Sequence, residues 1–219
     1  MIKLENINKE YGEKIVFENL SLSIEENAVT AVLGESGVGK TTLLNILSGA
    51  ASYTGKMQND SRKVSFVFQE DRLVPFMTVN ENLEFVLGKG DYTEKLRQVG
   101  IEEYKDSYPS SLSGGTARRV ALLRAFLYDG DLMLMDEPFS ALDLSTKYKV
   151  MQLFLKLWEQ KRITAIIVTH DIEEAVFLAK RIVVLGEKGV IKGDFINRGD
   201  ITRKEITLSL IHISEPTRP

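Results

Sequence analysis

A glycine-rich stretch, GESGVGKTT at residues 34–42, has the residue types and spacing needed to bind a phosphate group. It follows an apolar run and precedes a predicted helix, which is the context that the pattern G-x-x-x-x-G-K-[ST] requires. Glycines would let backbone N–H groups surround an anion, Lys40 would neutralise the β- and γ-phosphates, and Thr41 would offer its hydroxyl to Mg²⁺. The alternative is a strand-to-helix turn that binds nothing. The residues predicted to contact a nucleotide here are Gly34, Ser36, Gly37, Gly39, Lys40, Thr41 and Thr42.

Two carboxylates, Asp136 and Glu137, directly follow the apolar run LMLM. Ligands of parallel sheets bind at the carboxyl ends of the strands, where a neighbouring phosphate loop would also lie. We therefore expect Asp136 to hold Mg²⁺ and Glu137 to polarise the water that attacks the γ-phosphate. A helix cap or a solvated turn is the alternative. Met133 and Met135 in the same run are predicted to be core residues and not metal ligands.

A second candidate phosphate site begins at Ser113, in the stretch SLSGGTARRVALLRAF. Ser113, Gly114 and Gly115 would offer a hydroxyl, two backbone amides and a helix N-terminus, although the same residues could be only a flexible N-cap. This site comes about 70 residues after the first loop. A head-to-tail dimer would use both sites, because each nucleotide could lie between one subunit's loop and the other subunit's serine.

The elements that must position these residues change along the chain. The first part has the period-two pattern of strands, followed by a helix predicted over roughly 40–48. Short helices broken by glycines fill the middle, and we expect an inserted helical subdomain over about 70–125. Afterwards the apolar strands LMLM, TAIIVT and RIVVL alternate with helices, which predicts a mostly parallel sheet with right-handed crossovers.

The composition is that of an ordinary globular domain, with 219 residues, 43% hydrophobic and 27% charged. A net charge of −3 gives no electrostatic argument for binding nucleic acid. Three arginines on one predicted helix, Arg118, Arg119 and Arg124, are therefore expected to form a solvated or interface face. The absence of cysteine excludes disulfides and thiolate metal sites. We expect neither a secretory signal nor a membrane span, so a membrane role would require a partner chain.

Taken in order, these motifs resemble the ATP-binding subunit of an ABC (ATP-binding cassette) transporter, over residues 2–185. LSGG at 112–115 is similar to the family signature, and SALD at 140–143 is similar to its D-loop. The resemblance implies an α/β P-loop ATPase with a mostly parallel sheet core, a small antiparallel β-lobe and an inserted helical subdomain. It also implies that ATP and Mg²⁺ bind.

Four further residues take their expected roles from this resemblance alone. Tyr11 would stack on adenine, and Gln69 would contact Mg²⁺ and relay to a membrane partner. Asp143 would contact the nucleotide through the D-loop, and His170 would contact the γ-phosphate. Thr116 stands where many family members have glutamine, and we expect Ser113 and main-chain amides to preserve the phosphate contacts.

The stretch VFQEDRLVPFMTVNENL at 67–83 is similar to importer subunits of the nitrate, sulfonate and taurine class. It implies a bacterial importer of a small organic or oxyanion solute, powered by ATP-driven closure of a head-to-tail homodimer at the cytoplasmic face of the membrane. The implied partners are transmembrane permease subunits and, indirectly, a solute-binding protein, with no nucleic acid. Residues 73–77 are a candidate permease contact, or alternatively a buried loop.

Two other function classes fit the sequence less well. A soluble ABC-type ATPase acting on ribosomes or DNA usually carries tandem cassettes or coiled-coil insertions, which this sequence does not show. A P-loop small-molecule kinase requires neither LSGG nor His170.

The final residues, 208–219, are expected to lie outside the domain, which we assign to residues 1–207. Residues 208–218 match, one by one, the translation of a common transposon-type sequencing adapter. We therefore interpret the segment as a non-native tail, the alternative being a genuine chain terminus. Between residues 48 and 64 the chain is shorter than is usual in the family, so the β-lobe is expected to be trimmed.

Overall fold

Two strands whose side chains are buried throughout form the centre of the computed structural model of the chain. They are β3 (Val29–Leu33) and β7 (Thr164–Thr169). Both faces of this sheet must therefore be covered, as is usual for parallel sheets in α/β proteins. The structure describes residues 1–61, 63–199 and 206–207.

The central sheet has six strands in the order β5-β6-β7-β3-β8-β9. Its other strands are β5 (Val64–Val67), β6 (Leu132–Asp136), β8 (Arg181–Leu185) and β9 (Ile191–Ile196). All neighbouring pairs are parallel except β8 and β9, where β9 forms an antiparallel edge. This confirms the mostly parallel sheet predicted from the alternation of strands and helices.

Helices cover both faces of the sheet. The α-helices of the described residues are α1 (Lys40–Leu47), α2 (Val79–Leu87), α3 (Thr93–Gln98), α4 (Gly114–Leu127), α5 (Leu144–Lys161) and α6 (Ile172–Leu178). Short 3₁₀ helices span Glu102–Tyr104, Pro109–Ser111 and Glu187–Gly189. No helix in the described part of the chain is long and apolar enough to cross a membrane.

Alternation of side chains along the central strands divides the core into two layers. Met133 and Met135 of β6 pack in one layer with residues of α2, α4 and α5. Leu132 and Leu134 pack in the other layer, with α1 and the first strands of the chain. Both methionines are fully buried, which confirms that they are core residues.

A smaller antiparallel sheet covers the second layer. It has the order β2-β1-β4 and consists of β1 (Ile2–Tyr11), β2 (Lys14–Ile24) and β4 (Thr54–Gln58). Its buried side chains join the core around α1. This is the small antiparallel lobe implied by the family resemblance; the trimming of the lobe stays a prediction.

Helices α2, α3 and α4 lie between β5 and β6 in the chain, in the region expected to hold the helical subdomain. A capping box begins α2, since the Thr78 hydroxyl accepts from the Glu81 N–H and the Glu81 carboxylate accepts from the Thr78 N–H. The limits of the subdomain and of the domain stay predictions. Ile206 is buried in the core, and the tail at 208–219 lies outside the described residues.

Candidate nucleotide-binding site

The phosphate loop, residues 34–42, connects β3 to α1 with a backbone that requires glycine at two points. Gly37 and Gly39 have φ angles of 85° and 107°, in the left-handed region that other residues rarely adopt. A Cβ on Gly39 would also lie 2.7 Å from the side chains of Phe17 and Val16. The loop can therefore expose its N–H groups at the start of α1, where an anion is favoured.

Lys40 lies folded against this loop and is only 6% exposed. Its Nζ donates to the carbonyl oxygens of Gly34, at 2.8 Å, and Glu35, at 3.0 Å. Burial lowers the pKa of Lys40, while the Glu137 and Asp136 carboxylates oppose this shift. The ammonium group is thus fixed at the mouth of the loop, where a phosphate group would meet it.

A hydroxyl and a carboxylate meet beside the loop, because the Thr41 Oγ1 donates to Asp136 Oδ2 at 2.9 Å. Burial raises the pKa of Asp136, with the hydrogen bond from Thr41 acting in the opposite direction. Two hard oxygen ligands in contact suit Mg²⁺, which also takes water and phosphate oxygens as ligands. The described residues contain no group of three or more His, Cys, Asp and Glu side chains that could hold a metal alone.

Glu137 lies between two groups that could act on a γ-phosphate. Its Oε1 lies 3.8 Å from Lys40 Nζ, and its Oε2 lies 3.2 Å from His170 Nδ1. The Glu137 N–H donates to the Val168 carbonyl at 2.9 Å, which anchors the residue to the end of β7. The structure thus brings Lys40, Glu137 and His170 together at the carboxyl ends of neighbouring strands.

The loop that carries His170 is held by a partly buried ion-pair network that the sequence did not reveal. Lys147 Nζ lies 2.7 Å from both Asp171 Oδ2 and Glu174 Oε1, and Glu174 is 1% exposed. The Thr169 hydroxyl donates to the other Glu174 oxygen at 2.7 Å. Burial alone would lower the pKa of Lys147, but hydrogen bonds from Lys147 to the two carboxylates raise it overall. In the sequence, the three-residue spacing of Asp171 and Glu174, which places them on one helical turn, was the signal that could have indicated this network.

A cavity of about 320 Å³ connects the phosphate loop to Tyr11. Its walls include Tyr11, Glu137 and the loop residues Ser36, Gly37, Gly39, Lys40, Thr41 and Thr42. Tyr11 is 49% exposed, and the Lys9 ammonium lies 4.4 Å from the centre of its ring. A larger cavity, of about 580 Å³, lies on the β-lobe around Phe17 and Tyr53 and lacks the phosphate-loop residues.

Three other predicted site residues have their hydrogen bonds elsewhere or none to this cluster. Ser113 is the N-cap of α4, and its Oγ accepts from the Thr116 N–H at 3.2 Å. Asp143 caps α5 through the Thr146 N–H. Within the described ranges, no hydrogen bond or ion pair joins Gln69, Ser113 or Asp143 to the phosphate loop. A single chain therefore brings together only part of the predicted site.

The N-terminus of α4 is tightly packed. A Cβ on Gly115 would lie 2.4 Å from the Thr146 methyl group, so this position tolerates only glycine without rearrangement. Thr116 is buried, and its hydroxyl lies 2.8 Å from the Ser113 hydroxyl. The threonine that departs from the family pattern thus supports the signature serine directly.

The expectation that the three arginines form a solvated or interface face is wrong for Arg118. This side chain is buried at 2% exposure and points into the segment that carries Gln69. Arg119 donates to the Gly100 carbonyl at 3.3 Å, and Arg124 donates to the carbonyls of Asp71 and Arg72. Their partners lie far away in sequence, so charge patterning alone could not show them.

The fold and the site define an α/β ATPase of the ATP-binding-cassette class. The sequence profile of the ABC transporter family matches residues 17–140. The aliphatic sulfonates import ATP-binding protein SsuB of Bacillus cereus (strain ZK / E33L) is 40% identical over 195 residues, covering 83% of this chain and 78% of its own. SsuB 1 of Paracoccus denitrificans (strain Pd 1222) is 41% identical over 199 residues, covering 88% and 82%. The chain belongs to the ABC transporter family and is an ATP-binding, ATP-hydrolysing subunit.

Solved structures agree with this assignment. The dimeric structure of MJ0796, a bacterial ABC transporter cassette, has a TM-score of 0.78 and 33% identity, covering 91% of this chain and 100% of its own. A dimeric post-hydrolysis state of the same cassette, bound to ADP and Pi, has a TM-score of 0.76 with the same identity and coverage.

Proposed function

We propose that this chain powers a bacterial importer of aliphatic sulfonates by closing and reopening a head-to-tail dimer around ATP. The solute class is supported by the relatives named aliphatic sulfonates import ATP-binding proteins. The observation that carries the ATPase mechanism is the position of Glu137, between Lys40 Nζ and His170 Nδ1 and adjacent to Asp136.

Each residue of this cluster has a chemical role in phosphoryl transfer. Lys40 would neutralise the β- and γ-phosphates, and the loop N–H groups would orient them. The Glu137 carboxylate would accept a proton from the water whose oxygen bonds to the γ-phosphorus, while the bond to the ADP oxygen breaks. His170 would contact the γ-phosphate and hold the attacking water in line.

The contact between Thr41 and Asp136 supports a magnesium site at the same edge of the sheet. Thr41 and Asp136 would hold Mg²⁺, with Gln69 as a further ligand. When bound, the ion would neutralise charge on the phosphate oxygens. Tyr11, at the far side of the cavity, would stack on the adenine.

The separation of Ser113 from the phosphate loop supports a site shared between two chains. Ser113, Gly114 and Gly115 would contact the γ-phosphate held by the partner's loop, and Asp143 would line the same interface. The dimeric cassette MJ0796 supports this arrangement, because it is similar over 91% of this chain. Binding of two ATP molecules would favour the closed dimer, and hydrolysis would release it.

The similarity to import ATP-binding proteins supports membrane partners for this chain. We assign transmembrane permease subunits as direct partners, a solute-binding protein as an indirect one, and the cytoplasmic face of the membrane as the location. Within the candidate permease contact, residues 73–77, Phe76 is 75% exposed, whereas Leu73 packs against the core. Phe85 on α2 is also 69% exposed. The alternative of a ribosome- or DNA-acting ATPase gains no support from the similar proteins described above, which are named as transporter components.

Growth on a sulfonate tests the proposal directly. A strain lacking this chain should fail to grow with an alkanesulfonate as its sole sulfur source, but should grow normally on sulfate. The wild-type chain should restore growth, and the Lys40→Ala variant should not. Unimpaired growth of the deletion strain on every sulfonate tested, with no other importer present, would reject the solute class.

A further inference from the structure

Two arginines of α4 form hydrogen bonds to the backbone of the segment 68–72, which contains Gln69. Arg118 donates through its guanidinium to the carbonyl of Phe68 at 2.7 Å and also to the carbonyl of Gln69. Arg124 donates to the carbonyls of Asp71 at 2.9 Å and Arg72 at 3.0 Å. Four backbone carbonyls of a five-residue segment are therefore bonded to one helix.

The Arg118 charge is compensated inside the protein. Its Nε lies at an ion-pair distance, 3.1 Å, from Asp71 Oδ1. Both atoms are shielded from solvent, and neither makes a hydrogen bond within the described ranges. Burial raises the pKa of Asp71, and the positive charges of Arg118 and Arg124 counteract this shift. A buried guanidinium is unfavourable unless its donors are satisfied. The two carbonyl acceptors of Arg118 and its ion-pair partner Asp71 all lie in the segment 68–72.

The outer side of the segment is held by aromatic contacts. The Arg72 guanidinium lies 3.6 Å from the centre of the Phe68 ring, and this ring stacks on Phe66 of β5 at 4.2 Å. The Gln69 residue itself is exposed. The backbone of the segment is thus fixed while its glutamine stays free to meet a ligand.

The N-terminus of α4 carries the signature residues Ser113, Gly114 and Gly115. Ser113 is its N-cap, and Arg118 follows about one and a half turns later on the same continuous helix. Ser113 and the two arginines that bond the segment 68–72 therefore belong to one continuous helix.

We propose that Arg118 and Arg124 are positioning residues for Gln69, which make the segment 68–72 and the helix beginning at Ser113 move as one body. The proposal rests on the proposed nucleotide contacts of Gln69 and Ser113. Engagement of Ser113 by a nucleotide on the partner subunit would then set the position of Gln69 in its own subunit.

Hydrogen exchange tests the fastening without requiring catalysis. In nucleotide-free protein, Arg118→Met should increase the exchange rate of backbone amides in a peptide covering 68–74 by about 10-fold. Arg119→Met is the matched control, since Arg119 neighbours Arg118 but bonds to Gly100, and it should leave this peptide unchanged. Where Arg118→Met does not fold, Arg118→Lys keeps the charge but loses the planar fork, and should also speed exchange. Wild-type exchange rates in the folded Arg118 variants would overturn the proposal.

A double-mutant cycle tests whether the arginine acts through Gln69. Arg118→Met should lower the kcat for ATP about 10-fold, with little change in KM, in the wild-type background. In the Gln69→Ala background the same substitution should cost less than about twofold. Equal losses in both backgrounds would mean that Arg118 acts on stability in general and would overturn the positioning role. A wild-type chain without ATPase activity would instead refute the proposed function. The exchange measurement would still test whether Arg118 holds the backbone of the segment 68–72.

Discussion

At the scale of single residues, Glu137 carries the largest share of the chemistry and adopts an unusual backbone conformation. Its φ angle of 41° lies in the left-handed region, which costs a non-glycine residue on the order of 1–2 kcal/mol. The surrounding structure maintains this geometry through the bond from its N–H to Val168. The strained turn directs the carboxylate away from the sheet and towards His170 and Lys40.

Substitution of this carboxylate separates catalysis from binding. Glu137→Gln keeps the shape but cannot accept a proton, so turnover should fall by about 10²–10⁴-fold. ATP affinity, measured with a fluorescent analogue, should stay close to that of the wild type because Lys40 and the loop are intact. Glu159→Gln, at an exposed position of α5, is the control and should hydrolyse ATP normally. Near-normal turnover in Glu137→Gln would remove Glu137 from the role of general base.

At the scale of elements, the start of α5 and the loop after β7 behave as one unit. Asp143 is the N-cap of α5. One turn later, Lys147 pairs with Asp171, which is the N-cap of α6, and with Glu174 in the first turn of α6. His170 directly precedes this pair of carboxylates. The proposed D-loop and the proposed γ-phosphate contact are thus connected by a half-buried cation.

Removal of that cation should destabilise the protein. Lys147→Met leaves Glu174 buried without its partner and should reduce the free energy of unfolding by about 3 kcal/mol. Urea unfolding measures this loss, and Lys149→Met on the exposed face of the same helix should be close to neutral. Adding Glu174→Gln to Lys147→Met should recover part of the lost stability, since the unpaired charge is removed. Equal stability of Lys147→Met and wild type would show that the network is not stabilising.

At the scale of the whole molecule, features that depend on contacts close together in the sequence could be predicted. Features that depend on contacts between distant parts of the chain could not. The phosphate loop, the carboxylates after β6 and the core positions of Met133 and Met135 follow from short patterns, and the structure places them accordingly. The burial of Arg118 could not be foreseen, because its acceptors lie about 50 residues earlier in the chain. The pairing of Lys147 with Glu174 likewise depends on the packing of α5 against α6.

A single chain contains only part of the proposed nucleotide site. The described contacts unite Lys40, Thr41, Asp136, Glu137 and His170, while Ser113 and Asp143 lie elsewhere. In the proposed mechanism, a second copy of the chain in head-to-tail orientation would complete the site. Each closed dimer would contain two equivalent composite sites.

Complementation between two inactive variants is the most direct measurement of this central claim. Lys40→Ala disables the phosphate loop, and Ser113→Arg blocks the signature face; both are made in the Glu137→Gln background so that bound ATP is retained. Neither variant alone should dimerise with ATP in analytical ultracentrifugation, although the Ser113→Arg variant should still bind ATP as a monomer. An equimolar mixture should form heterodimers with one ATP each, because the intact loop of one chain faces the intact Ser113 of the other. Failure of the mixture to associate, or ATP-dependent dimerisation of the Ser113→Arg variant alone, would contradict the head-to-tail site.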